Sequence, residues 1–159
     1  MSATTTPDRA HPDTGARAAP PAWAPVAATT LKAVLRRYQQ QGGLAGGDEV
    51  SSRLRGVVEQ PISTLARWIV AREVVVLPCE SVLLLLLPLF QFDFRAGRVL
   101  PAVSAALSEL RPVFDDWDLA SWFATPNVLL DAAAPMQCLL HDPAAVVEAA
   151  RTDRFIAAG

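Results

Sequence analysis

The sequence predicts a mainly α-helical protein with a short β-hairpin in its middle. Three observations carry this prediction. Apolar residues recur at i, i+3, i+4 and i+7 through residues 31–38, and again at helical spacing through residues 103–123. Between these blocks, residues 74–87 form two short apolar runs, the first of them β-branched, separated by P-C-E-S. Prolines stand at 61, 101, 135 and 143, where each can occupy the first turn of a helix and lose no hydrogen bond by lacking an N–H.

The elements run in this order. Leu31, Val34, Leu35 and Tyr38 form the apolar face of a first helix that stops near Gly42 and Gly43, with Lys32, Arg36, Arg37 and Gln40 on its other side. Residues 43–47 read as a glycine-rich connector. They lack the lysine and hydroxyl residue of a phosphate-binding loop, and no strand precedes them. Residues 48–55 form a short helix on Val50 and Leu54. Pro61 then opens another whose buried stripe is Ile62, Leu65 and Ile69, broadened by Trp68. Two short helices joined by a tight turn are the helix-turn-helix arrangement. The hairpin pairs residues 74–77 with 83–87, and after it comes an aromatic segment closed by a turn at Gly97. Pro101 starts a helix with Val103, Ala106, Leu107 and Leu110 on one face, ended by Pro112. Asp115 or Asp116 caps the next, which must stop near Ala124 because Pro126 drives Thr125 out of the α region. Asn127 can cap the segment after this corner. A short helix spans residues 135–140, and Asp142 with Pro143 starts the last, to about Phe155.

At 159 residues, with 52% hydrophobic content and mean hydropathy +0.26, the chain suits one domain or two very small ones with an ample core. Residues 1–25, with Pro7, Pro12, Pro20, Pro21 and Pro25 and no periodicity, read as a disordered tail without the apolar stretch of a secretory signal. Residues 26–72 form the helical, helix-turn-helix-like region, 73–101 the hairpin and aromatic connector, and 102–159 a second helical region. The longest apolar run, residues 82–90, is about half of what a membrane helix needs. Cys79 and Cys138 are far apart with no paired spacing, which favours a reduced, cytoplasmic chain over a single disulfide. The net charge of −2 excludes a polybasic protein, so nucleic-acid contact requires a local patch.

The most specific stretch is W-x-x-x-x-W-F-x-T-P-N-x-x-L-x-x-x-x-P-x-x-x-L from Trp117, with D-P-A-A-V-V-E-A-A-R after it and P-L-F-Q-F-D before it. Together these resemble the Xre/MbcA/ParS toxin-binding domain of bacterial type II antitoxins, over roughly residues 47–155. The resemblance implies a small helical C-terminal toxin-binding domain that blocks a cognate toxin, often a RES-domain enzyme that consumes NAD. It also implies an N-terminal region that dimerises and binds operator DNA. The helix-turn-helix is degenerate: Pro61 and Ile62 stand where DNA-reading versions usually carry Ser and a polar residue.

Roles divide accordingly. Leu119, Trp122 and Phe123 are core, and Thr125, Pro126, Asn127 and Pro135 fix the corner and its exit. Trp117 lies nearly opposite that apolar face. With Val128, Leu129 and Asp131 after the corner, and Arg151 and Arg154 near the end, it is a candidate contact for the partner. Residues 151–159 are read as a tail able to enter the toxin's active site. Ser63, Thr64, Arg67 and Arg72 are candidate phosphate donors for the other reading, a transcriptional regulator acting through residues 47–72 while the C-terminal half oligomerises. A homodimer is expected because the apolar run and the tryptophans exceed what so small a folded portion covers. Cys138 and His141 offer half of a zinc site, and His141 is the one histidine outside the tail, so no metal, cofactor or catalytic residue is assigned.

Overall fold

The computed structural model describes residues 31–77 and 85–159. The tail at 1–25, Cys79 and the P-C-E-S turn lie outside them. The described chain is mainly helical, with two small antiparallel two-stranded sheets in the middle. In order it forms α1 (Leu31–Gln40), β1 (Leu44–Gly46), α2 (Gly47–Leu54), α3 (Pro61–Val70), β2 (Leu86–Pro88), a 3-10 turn (Leu89–Gln91), β3 (Phe92–Asp93) and β4 (Arg98–Val99). Four further helices complete it: α4 (Pro101–Leu110), α5 (Asp116–Ala124), α6 (Pro135–Cys138) and α7 (Pro143–Ala158), with a second 3-10 turn at Val128–Leu130. Each of the four prolines sits in the first turn of its helix. No helix among the described residues is long and apolar enough to cross a membrane.

The sheets show the predicted hairpin in part and add a pairing the sequence did not suggest. Among the described residues the two apolar runs meet at one antiparallel bridge, Leu77 with Leu86, while β2 pairs along its length with the glycine-rich segment: Leu44 opposes Pro88, Ala45 opposes Leu87 and Gly46 opposes Leu86. The connector is therefore a strand. Ala45 and Leu87 are buried in it, which rewards the extended conformation despite the flanking glycines. At Val75 the buried side chain of Gln91 takes the place of a partner strand. Its Oε1 accepts from Val75 N–H at 2.7 Å, and its Nε2 donates to the carbonyls of Val75 at 3.0 Å and Pro88 at 2.9 Å. An amide side chain carries one acceptor and two donors, so one residue satisfies three buried backbone groups.

The stripe on α3 is also rotated. Thr64 and Leu65 are buried and Trp68 and Ile69 half-buried, but Ile62 is 73% exposed. The helix packs on α2 through Leu65, which approaches Gly47, and this turns Ile62 outward.

One continuous core runs through both halves. Its centre is an aromatic column: Tyr38 of α1 stacks on Phe90 at 5.7 Å, and Phe90 meets Phe123 of α5 at 5.4 Å. Phe92 and Phe94 instead join Trp68 of α3. The segment P-L-F-Q-F-D-F thus ties both halves together. At the β3–β4 turn Gly97 has φ +62°, and a Cβ there would meet Val58 Cγ2 at 2.7 Å, so glycine is required for both reasons. Below this, α7 packs along α4 while α5 and α6 close the end of the molecule.

Candidate functional site

The corner after α5 is where the chain builds its most specified surface. A capping box starts the helix: Asp118 N–H donates to Asp115 Oδ1 at 2.8 Å and Asp115 N–H to Asp118 Oδ2 at 3.2 Å. Burial raises the Asp118 carboxyl above its ordinary range. Pro126 holds Thr125 extended at ψ 137°, and the helix ends there. Arg37 of α1 reaches the same end, donating to the Ala124 carbonyl at 3.0 Å, where a cation meets the negative pole of α5.

Beyond Pro126 the chain closes on Asn127. Its Oδ1 accepts from Leu129 N–H at 2.9 Å, capping the 3-10 turn, and this orients Nδ2 toward Asp153 Oδ2 at 2.7 Å. Trp122 Nε1 donates to the same oxygen at 2.7 Å. The Asn127 N–H donates to the Ala133 carbonyl and the Ala132 N–H to that of Asn127, so residues 127–133 form a closed loop. Asp131 and Ala132 complete it at φ 52° and 63°, a left-handed conformation that alanine adopts at a cost.

Asp153 was missed in the sequence, although its signal was there. It falls in register with Val146, Ala149 and Ala150, the buried face of α7, and an acidic residue at a core position has to be satisfied by something. Above it lies a small cavity of about 60 Å³, walled by Trp122, Pro126, Leu129 and Ile156. The rim is exposed and apolar: Val128 is 78%, Leu129 48% and Ile156 45% exposed, with Phe155 beside Ile156 at 79%.

The remaining candidates are scattered around this centre. Leu119, Trp122, Phe123, Asn127 and Pro135 are buried, while Pro126 is exposed. Trp117 is half-buried against the core, and Asp131 is exposed at the loop tip. Arg151 and Arg154 are paired with Glu109, and Arg151 also with Glu148. The segment read as a C-terminal tail is helical to Ala158, since its alanines extend the periodicity of α7. On α3, Ser63 and Arg67 are exposed and Thr64 is buried, and just past its end Arg72 pairs with Asp116 at 2.8 Å. Cys138 is a free, buried thiol whose pKa burial raises. Among the described residues no group of His, Cys, Asp and Glu is placed to hold a metal ion. The chain matches no family model, no curated protein and no solved structure.

Proposed function

We propose that this chain is an antitoxin-like protein whose C-terminal helices bind and neutralise a cognate toxin, with a RES-domain NAD-consuming enzyme as the first candidate. The observation that supports it is the exposed apolar rim of Val128, Leu129 and Ile156 on a corner pinned from α1, α5 and α7. Exposed apolar side chains on a rigid base are what a protein interface uses, because little ordering entropy is lost when the partner docks. The resemblance of the W-F-x-T-P-N stretch to toxin-binding domains supplies the class of partner.

Co-expression with the product of the adjacent gene tests this. The neighbour alone should arrest growth, this chain should restore it and co-purify, and Val128→Asp with Leu129→Asp should abolish both effects while the protein stays folded. Full rescue by that double variant would remove the surface, and a harmless neighbour would remove the function.

The alternative, a DNA-binding regulator using residues 47–72, is supported by the exposure of Ser63 and Arg67 on one side of α3. The same face carries Ile62, Ala66 and Val70, with Ile62 73% and Val70 83% exposed, a stripe better suited to protein than to phosphate. We assign this stripe to the homodimer contact.

A further inference from the structure

We propose that the cavity under the corner is a socket for one arginine side chain of the partner protein, with Asp153 as its counter-charge. The inference rests on the partner-binding reading above and specifies its chemistry. Asp153 is 4% exposed, and both of its hydrogen bonds, from Trp122 and Asn127, arrive at Oδ2. Among the described residues Oδ1 accepts no hydrogen bond and Asp153 has no ion-pair partner. The cations nearest in sequence do not serve, because Arg151 and Arg154 turn away to Glu109. A buried carboxyl group held by two neutral donors, with no cation beside it among the described residues, is suited to a cation, which is attracted there more strongly than at an open surface.

Shape narrows the ligand. The cavity of about 60 Å³ is far below the ~300–1,000 Å³ of sites that enclose a drug-sized molecule, so it takes the head of a side chain. Trp122 forms one wall, offering an aromatic partner to a planar, weakly hydrated guanidinium. Val128, Leu129 and Ile156 at the rim give the aliphatic stem an apolar surface to lie on. Arginine combines the three properties: charge, planarity and a long apolar stem.

The test uses the full chain labelled with ¹⁵N and titrated with N-acetyl-L-arginine amide and its neutral isostere, the citrulline amide. The Trp122 indole and Asn127 side-chain amide signals should move saturably with the arginine probe, and the citrulline probe should bind at least about tenfold more weakly. Asp153→Asn keeps an acceptor for Trp122 and Asn127 but removes the charge, and should reduce arginine binding to the citrulline level. Equal binding of the two probes, no saturation up to about 50 mM, or unchanged binding in a folded Asp153→Asn protein would overturn the socket. If Asp153→Asn does not fold, the two probes on the unmodified chain decide. Failure of the probes while Val128→Asp still abolishes toxin capture would overturn the socket and leave the partner surface standing. Saturation by arginine with undiminished capture by Val128→Asp would overturn the placement of the socket in that interface.

Discussion

Gln91 shows how much can hang on one side chain. It satisfies the Val75 N–H and the carbonyls of Val75 and Pro88 from a fully buried position. Gln91→Ala strands those groups and leaves a cavity, so it should cost about 3–4 kcal/mol, read as a fall in the urea midpoint with little change in slope. Tyr38 gives a pH signature. Its hydroxyl is buried, donates to the Ala120 carbonyl, and is held well above the ordinary phenol range by desolvation. Because the folded value exceeds the unfolded value near 10, this contribution is complete below about pH 10 and is lost as pH rises beyond it, by about 1.4 kcal/mol per unit. Tyr38→Phe should lower stability by about 1 kcal/mol at neutral pH and flatten the alkaline limb of a pH-dependent melting series. The burial of Tyr38 was legible in the sequence, whereas the partners of Gln91 and Asp153 were not. Gln91 is legible as a polar residue among phenylalanines and Asp153 as an acid on an apolar helix face, but Val75 lies 16 positions from the first and Asn127 and Trp122 lie 26 and 31 from the second, and only the fold brings them close.

Elements were legible where local chemistry sets them and illegible where distant pairing does. The first-turn prolines and the Asp115, Asn127 and Asp142 caps mark helix starts through their own backbone geometry and hydrogen bonds. β1 was unreadable because its glycines signal a loop, and its partner β2 lies more than forty residues on. The end of α3 is an informative case between the two. Glu73 N–H donates to the Trp68 carbonyl and Arg72 N–H to that of Ile69, the double hydrogen bond that terminates a helix through a left-handed residue. That residue is Arg72, at φ 58°, where glycine is the usual occupant. Its ion pair with Asp116 is exposed and contributes little. Arg72→Gly should therefore stabilise the protein by about 0.5–1 kcal/mol in chemical denaturation, and a destabilisation would show that the pair outweighs the strain.

At the scale of the molecule, two apolar faces stand exposed among the described residues: the corner and the Ile62–Ala66–Val70 stripe of α3. If the stripe makes the homodimer, sedimentation should find a dimer whose dissociation constant rises at least about tenfold in Ile62→Asp with Val70→Asp, while toxin capture by the corner persists. A monomer in the unsubstituted protein would return the stripe to another use. The aromatic column also bears on how the protein is made. Tyr38, Phe90 and Phe123 come from three widely separated parts of the chain, so the column cannot close until position 123 has left the ribosome. The growing chain therefore carries the Tyr38–Phe90 pair without its third ring until then. The side of Phe90 that Phe123 covers stays open to chaperones and proteases for that interval, which lengthens when translation slows.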